Sequence, residues 1–433
     1  MFKVYRESPI FDEFTRFDTT SGRLETIPEE EFNAYLPDHL EWEENGPIRR
    51  VEGKGAVLFT GEIPATHTRF PRRVYFQITR HCNLNCPACF IKAGKAGQHV
   101  PTENIMEMAS FLGRNGLMEV RITGGEPTTH PDFFEILHKF QEENIYVSVA
   151  TNGVLNKKTL DALCEEKNLW VICSIDGNRE THNKYRPGTF DRILRNLKYL
   201  KNKNPSTRLR LTTVLTRENM GQMYDLGQIC RTLDAESITI IPLRPQVRDP
   251  GILEKMVTAQ EFKRVIENMI EVKKKLGIRF TTTLETDFEE YVYKDPIFRK
   301  KFACAAGREG TNLDYDYSKR EFLVYGCSYS PAVDLAAIPE IRKPFLAGTF
   351  SPDRIHSFLD IWRNEQAWEL FRNNSVKSPA CKGCSYLKNF QCVGSCPIQN
   401  IDYDSLRVEG SILDQLKEQI RHTSEWYCYK AFL

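Results

Sequence analysis

Between Val74 and Pro242 the apolar positions alternate between two rhythms. Six short runs rich in β-branched and aromatic residues read as strands: VYFQIT (74–79), MEVRIT (118–123), YVSVAT (146–151), LWVICSID (169–176), LRLTTVL (209–215) and SITIIP (237–242). Between them, apolar residues recur at i, i+3, i+4 and i+7. Ile105, Met108, Ala109 and Leu112 form one such set, and Phe133, Ile136, Leu137 and Phe140 the next. Phe190, Ile193, Leu194 and Leu197 form a third, and Met223, Leu226, Cys230 and Leu233 a fourth. This spacing gives each helix one apolar face that can lie on a sheet. Repeated strand–helix units imply a parallel sheet with right-handed crossovers. Six units are fewer than the eight that close a barrel. The expected fold is therefore α/β, an open partial (β/α)6 barrel with functional groups at the C-terminal ends of its strands.

The flanking segments divide the chain further. Residues 1–70 hold turn formers (TTSGR, EENGP, GKG), a strand–turn–strand pattern and a short helix at Pro28–Tyr35. This N-terminal extension reads either as a segment packed over the barrel or as a peptide-binding module of winged-helix type. Residues 71–250 are the barrel. Residues 251–300 form a helical bridge with Phe262, Val265, Ile266 and Met269 on one side. Residues 301–433 lose the α/β alternation. Their apolar residues are too scattered for a large core, so metal centres are expected to organise this tail.

Composition narrows the function. The chain has 433 residues, 41% hydrophobic and 27% charged, as an ordinary soluble protein does. No apolar run approaches the roughly 18 residues of a membrane span. The opening MFKVYRESPIFDEF has acidic residues and no apolar stretch, unlike a secretory signal. A cytoplasmic location is expected. The net charge is +1 and the basic residues are dispersed, so there is no general nucleic-acid footprint. The thirteen cysteines change the picture. Cys82, Cys86 and Cys89 lie within eight residues, and Cys381, Cys384, Cys392 and Cys396 within sixteen. Spacing this tight favours a compact metal centre over disulfides between distant loops.

Directly after the first strand comes C-x3-C-x2-C, in His81-Cys82-Asn83-Leu84-Asn85-Cys86-Pro87-Ala88-Cys89-Phe90. Three thiolates on one short loop suit three irons of a [4Fe-4S] cube and leave the fourth iron open to a small molecule with an amine and a carboxylate. A structural zinc site is the alternative, with His81 as the fourth ligand that zinc normally takes. After the second strand comes Thr123-Gly124-Gly125-Glu126-Pro127-Thr128, where two glycines allow close backbone approach and a carboxylate can meet an ammonium group. After the fourth strand, Ser174 and Asp176 share one face of Cys173-Ser174-Ile175-Asp176-Gly177.

These three motifs, in this order at the ends of strands one, two and four, resemble the radical S-adenosylmethionine (SAM) superfamily. The resemblance implies a [4Fe-4S] cluster held by Cys82, Cys86 and Cys89. It implies SAM bound near Gly124, Gly125, Glu126 and Pro127, with Ser174 and Asp176 near its ribose or carboxylate. Thr151 and Asn152 at the third strand end are further ribose neighbours, and Arg186 matches a position often basic in relatives. Many relatives carry an aromatic residue just before the third cysteine. Here that position is Ala88, and Phe90 follows instead.

The tail resembles the SPASM domain that follows the barrel in peptide-modifying members of that superfamily. Cys304-Ala305-Ala306-Gly307, a hairpin (Thr311–Asp316 and Glu321–Tyr325) and Cys327 fit its first half; Cys381, Cys384, Cys392, Cys396 and Cys428 fit its second. The resemblance implies one auxiliary [4Fe-4S] cluster on Cys381, Cys384, Cys392 and Cys428. A second would sit on Cys304, Cys327 and Cys396. A single zinc or cluster is the plainer alternative. Cys164, Cys173 and Cys230 read as core residues.

The implied activity is reductive cleavage of SAM to a 5′-deoxyadenosyl radical, which abstracts hydrogen from a substrate. A ribosomal peptide or protein is the favoured substrate, crosslinked, oxidised or epimerised, with flavodoxin or ferredoxin as electron donor. Sulfatase-modifying members usually carry Asp after the hairpin cysteine, where this chain has Ser328. A small-molecule substrate (tetrapyrrole, sugar or nucleotide) and a non-catalytic metal-binding scaffold are the alternatives. No catalytic acid or base stands out.

Overall fold

A computed structural model describes residues 2–6, 14–38, 49–60, 64, 66–244, 247–282, 304–330, 339–372, 378–384, 396, 398, 401–402 and 405–422. The N-terminal extension forms a five-stranded sheet. Its strands are β1 (Phe2–Arg6), β2 (Phe14–Asp18), β3 (Arg23–Ile27), β4 (Arg49–Glu52) and β5 (Ala56–Thr60), in the order β3-β2-β1-β5-β4. A short helix α1 (Glu29–Ala34) follows the β2–β3 hairpin, and its Phe32 is buried against Phe14.

The barrel runs β6 (Arg73–Gln77), α2 (Thr102–Arg114), β7 (Glu119–Thr123), α3 (Phe133–Glu142), β8 (Tyr146–Thr151), α4 (Lys157–Glu165) and β9 (Leu169–Ser174). It continues with α5 (Arg179–Tyr185), α6 (Phe190–Lys203), β10 (Arg208–Leu215), α7 (Met223–Thr232) and β11 (Ser237–Pro242). Neighbouring strands from β6 to β11 pair in parallel. The predicted apolar helix faces are buried: Ile105, Met108 and Leu112 on α2, Phe133, Ile136 and Phe140 on α3, and Ile193 and Leu197 on α6.

Two features depart from the sequence expectation. The helix in the expected bridge is α8 (Ala259–Leu276), begun by a Thr258/Glu261 capping box and ended by Gly277 in the left-handed region. It delivers a seventh parallel strand, β12 (Arg279–Thr282), beside β11, so this stretch extends the barrel sheet. The four-residue strand offered too short a signal to separate from a helix tail. The remainder of the expected bridge, residues 283–300, lies outside the described residues.

The second departure is the tail, which has a substantial apolar core. Strand β13 (Gly310–Asp316) pairs parallel to β6, and β14 (Glu321–Tyr325) and β15 (Leu346–Phe350) continue the sheet antiparallel. Helix α9 (Ser357–Arg363) places Trp362 against Trp368, with ring centroids 5.2 Å apart. Arg372 lies over both rings and donates to Gly307 O at 2.6 Å. Leu323, Tyr325, Ile341, Phe345 and Leu416, the last on α10 (Ile412–His422), form a second apolar cluster. The apolar residues are scattered in sequence, but the hairpin gathers them on one surface.

The N-terminal sheet seals the lower end of the barrel, where the strands begin. Tyr5, Phe17, Val57 and Phe59 pack against Met118, Tyr146 and Trp170. Polar contacts anchor the seam: Tyr5 Oη donates to Gly116 O and Lys3 Nζ to Leu117 O, both at 2.7 Å. The opposite end, at the strand C-termini, stays open for chemistry.

Candidate SAM and iron–sulfur site

The loop after β6 is fixed from several sides. Ile78 N–H donates to Thr123 O (3.0 Å), Cys82 N–H to Gly94 O (3.1 Å) and Cys89 N–H to Cys86 O (3.2 Å). Arg248, beyond β11, donates from its backbone to Cys89 O (3.0 Å) and from Nη1 to Cys86 O (2.9 Å). Arg80 pairs with buried Asp314 on β13, which ties the loop to the tail. Asn83 donates to Val154 O (2.9 Å) and accepts from Asn152 Nδ2 (2.7 Å).

The two glycines after β7 serve this loop directly. Gly125 N–H donates to Thr79 O (2.8 Å) and Glu126 N–H to His81 O (2.9 Å). A Cβ on Gly124 would collide with Thr79 O and one on Gly125 with His81 O, both well inside the 3.0 Å that real Cβ atoms respect. Gly124 also has φ +139°, which disfavours other residues. The glycine pair thus presses its strand end onto the cysteine loop as well as exposing backbone to the cavity.

Glu126 is fully buried. Its Oε1 accepts from Thr128 Oγ1 (2.6 Å) and Thr151 Oγ1 (2.8 Å), and its Oε2 from Asn152 N–H (2.7 Å). Burial pushes its carboxyl pKa up, and these donors oppose the rise. The carboxylate therefore holds the ends of β7 and β8 together from behind the cavity wall. Pro127, which starts a 3-10 turn, is buried as well, and neither residue is part of the cavity lining.

A cavity of about 260 Å³ opens at the strand C-termini. Cys82, Cys86 and Cys89 line it, as do Phe90, Gly124, Gly125, Thr151, Asn152, Ser174, Asp176 and Arg186. Asp176 accepts from Arg186 Nε at 2.7 Å and from Val214 N–H at 2.9 Å. Arg186 Nη1 also lies 3.9 Å from Cys86 Sγ. Burial alone would lower the Arg186 pKa; Asp176 and Cys86 outweigh it, and the guanidinium stays charged. Burial raises the free Cys82 thiol to about 11 and raises Cys86 as well.

The donor set fits an iron–sulfur cluster. Burial biases the Cys82 and Cys86 thiols toward the protonated form, and a bound metal that takes up the charge would convert them to thiolates. No three His, Cys, Asp or Glu side chains among the described residues are grouped as one metal ion needs. A cube that offers each thiol its own iron makes no such demand.

Sequence reasoning missed several cavity residues. Tyr75, Gln77 and Arg121 reach it from β6 and β7, Thr212 and Val214 from β10, and Asn312, Ser328 and Tyr329 from the tail. A polar Gln77 inside the apolar run VYFQIT was the legible signal; pairing of β13 with β6 gave none. Phe90 faces Tyr329, their ring centroids 5.2 Å apart. Tyr329 in turn carries Arg244 over its ring, and Arg244 Nη1 lies 3.9 Å from Cys396 Sγ. Of the tail cysteines, Cys304, Cys327, Cys381 and Cys384 are partly buried and Cys396 is buried. Gly307 N–H donates to Gly326 O (3.2 Å), which ties the turn after Cys304 to the residue before Cys327. Cys384 N–H donates to Cys381 O (3.1 Å). Cys392 and Cys428 lie outside the described residues. Cys164, Cys173 and Cys230 are buried in the barrel core.

Comparison with known proteins gives a consistent picture. Residues 76–230 match the family described as the Radical SAM superfamily. The chain is 26% identical to an AdoMet-dependent heme synthase of Methanosarcina barkeri, over 74% of this chain and 90% of that one. It is also 26% identical to the mycofactocin maturase MftC of Mycolicibacterium smegmatis, over 74% and 76% of the two chains. Among solved structures, Streptococcus suis SuiB bound to its precursor peptide SuiA superposes with TM-score 0.61 at 18% identity, covering 77% of this chain and 73% of that one. No helix among the described residues is long and apolar enough to cross a membrane.

Proposed function

We propose that this chain, whose residues 76–230 form a radical SAM domain, reductively cleaves SAM and abstracts hydrogen from a peptide or protein substrate. The observation that carries this reading is one cavity that joins all three thiols of the C-x3-C-x2-C loop to the Gly124–Gly125 backbone and the Asp176–Arg186 pair. Cys82, Cys86 and Cys89 would hold the cluster, and when bound, cluster and SAM supply a one-electron cleavage that yields a hydrogen-abstracting radical. Arg186 offers a fixed positive charge to a carboxylate, and Gly124 and Gly125 offer backbone to an ammonium group. Thr151, Asn152 and Ser174 offer hydroxyl and amide partners to a ribose. Ser328 and Tyr329 line the cavity from the tail, where substrate packed against them would keep water away from a reactive species.

A peptide substrate is supported by the likeness to a peptide-bound structure and to a maturase. The tail cysteines would hold one or two auxiliary clusters, and a flavodoxin or ferredoxin would supply electrons. A tetrapyrrole substrate is the second reading, favoured by the heme synthase relative. The test is anaerobic reconstitution with iron and sulfide, reduction with dithionite, and quantification of 5′-deoxyadenosine and methionine. Stoichiometric formation of both from SAM is expected. Intact SAM beside a fully loaded cluster would refute the reading.

A further inference from the structure

The residues assigned to SAM above lie along the ends of β6 to β9 and in the loops that follow. Two buried side chains on the same cavity are left without a role. Gln77 is 2% exposed on β6, and Asn312 is fully buried on β13, the strand that the tail adds beside β6. Both line the cavity. They share one contact, Gln77 Nε2 to Asn312 Oδ1 at 3.4 Å. Gln77 Oε1 and Asn312 Nδ2 have no hydrogen-bond partner among the described residues. Rotating both amides keeps the shared contact and again leaves one donor and one acceptor open. Burying two polar groups without partners is costly, and such groups in a native structure call for an explanation.

We propose that Gln77 and Asn312 read the substrate, by hydrogen-bonding an amide that offers one acceptor and one donor on the same side. A carboxylate offers acceptors only and would face the free carbonyl oxygen; an ammonium offers donors only and would face the free N–H. An extended peptide residue fits, because its own N–H and C=O point to the same side. An Asn or Gln side chain of the substrate presents the same chemistry. The assignment rests on the peptide reading given above and names the part of the cavity that would carry it. It also explains why the tail supplies β13: without that strand the reader would have only half of its pair.

The test uses the reconstituted, SAM-bound protein and three pools of N-acetylated tripeptide amides. The first lacks Asn and Gln. The second is identical except that an ester replaces the amide that carries the central residue's N–H. The third carries Asn or Gln at the centre. Binding is read by equilibrium dialysis on the wild type and on Gln77→Leu/Asn312→Leu. The wild type is expected to bind the ester pool about tenfold more weakly than a matching amide pool. If the third pool alone binds better than the ester, a side-chain amide is the target. The leucine pair should bind all pools alike, keep the SAM-induced shift of the cluster spectrum, and unfold at a higher temperature, because two unpaired groups have gone. Should that variant fail to fold, Gln77→Met alone carries the binding and SAM-shift readouts but not the unfolding readout, because it leaves Asn312 without its contact. Equal binding of amide and ester by the wild type overturns the assignment. So does loss of the SAM-induced shift in the variant, or a fall in its unfolding temperature. A wild type that shows no SAM-induced shift overturns the radical SAM reading itself, a separate result.

Discussion

Replacing Gly125 by alanine places a methyl group against His81 O, one residue before Cys82. Ordinary contact is restored only if the end of β7 and the cysteine loop part by roughly 1 Å. That movement stretches two hydrogen bonds, Gly125 N–H to Thr79 O (2.8 Å) and Glu126 N–H to His81 O (2.9 Å), beyond hydrogen-bonding distance. Two neutral backbone bonds contribute about 1 kcal/mol each, and local overpacking adds about 1–3 kcal/mol. The expected cost is therefore about 3–5 kcal/mol, a large share of the roughly 5–15 kcal/mol that stabilises a typical protein. The assay has two arms. Urea unfolding should show a loss of stability within that range, at unchanged slope. Iron and sulfide analysis after anaerobic reconstitution, with the tail cysteines replaced by alanine in both proteins so that only the first cluster is counted, should show cluster content reduced to under half of that without Gly125→Ala, with SAM left out of the buffer. If Gly125 served only SAM, cluster content would be unchanged and only SAM affinity would fall. A variant with wild-type stability and full cluster content would refute the packing argument.

Three other perturbations test separate parts of the molecule. Lys3 is buried under the barrel, and burial, with Arg50 nearby, lowers its pKa to about 7. The unfolded chain keeps that proton up to about pH 10.5, so stability should rise between pH 7 and 10.5 by up to about 1.4 kcal/mol per pH unit. Lys3→Met should flatten that part of the curve in urea titrations at several pH values; an identical slope in both proteins would contradict it. Glu126→Gln sets an amide nitrogen against either the Thr128 and Thr151 hydroxyls or the Asn152 N–H. It should cost about 1.5–3 kcal/mol in urea unfolding, and a neutral result would mean the carboxylate does not hold these strand ends. Trp362→Ala removes a fully buried ring from the tail core and should cost about 3–5 kcal/mol even before any metal is added. A metal-free protein indifferent to this change would show that clusters, not the apolar core, organise the tail.

The barrel was legible because each element advertises its own period. Strand runs such as LRLTTVL and helix faces such as Phe133, Ile136, Leu137 and Phe140 are local patterns, and parallel crossovers then restrict the topology. The cysteine loop was legible for the same reason, since its three thiols are neighbours in sequence. What stayed hidden depends on long-range pairing. Asn312 reaches the cavity only because β13 joins β6, some 235 residues from Gln77. Arg248 grips the cysteine loop from beyond β11, across 162 residues to Cys86. The seal between Tyr5, Phe59, Tyr146 and Trp170 likewise joins segments that carry no shared local signal. Glu126 was visible as a residue but not in its posture, because its partners Thr151 and Asn152 sit on a different strand end.

The central claim is that Cys82, Cys86 and Cys89 hold a cluster with one iron open to SAM. The most direct test is electron paramagnetic resonance of the reduced, anaerobically reconstituted protein, with and without SAM, in a variant whose tail cysteines are all replaced by alanine. One cluster per chain, with a spectrum that shifts when SAM is added, is the predicted result. A spectrum indifferent to SAM, or a colourless protein carrying only zinc, would contradict the account.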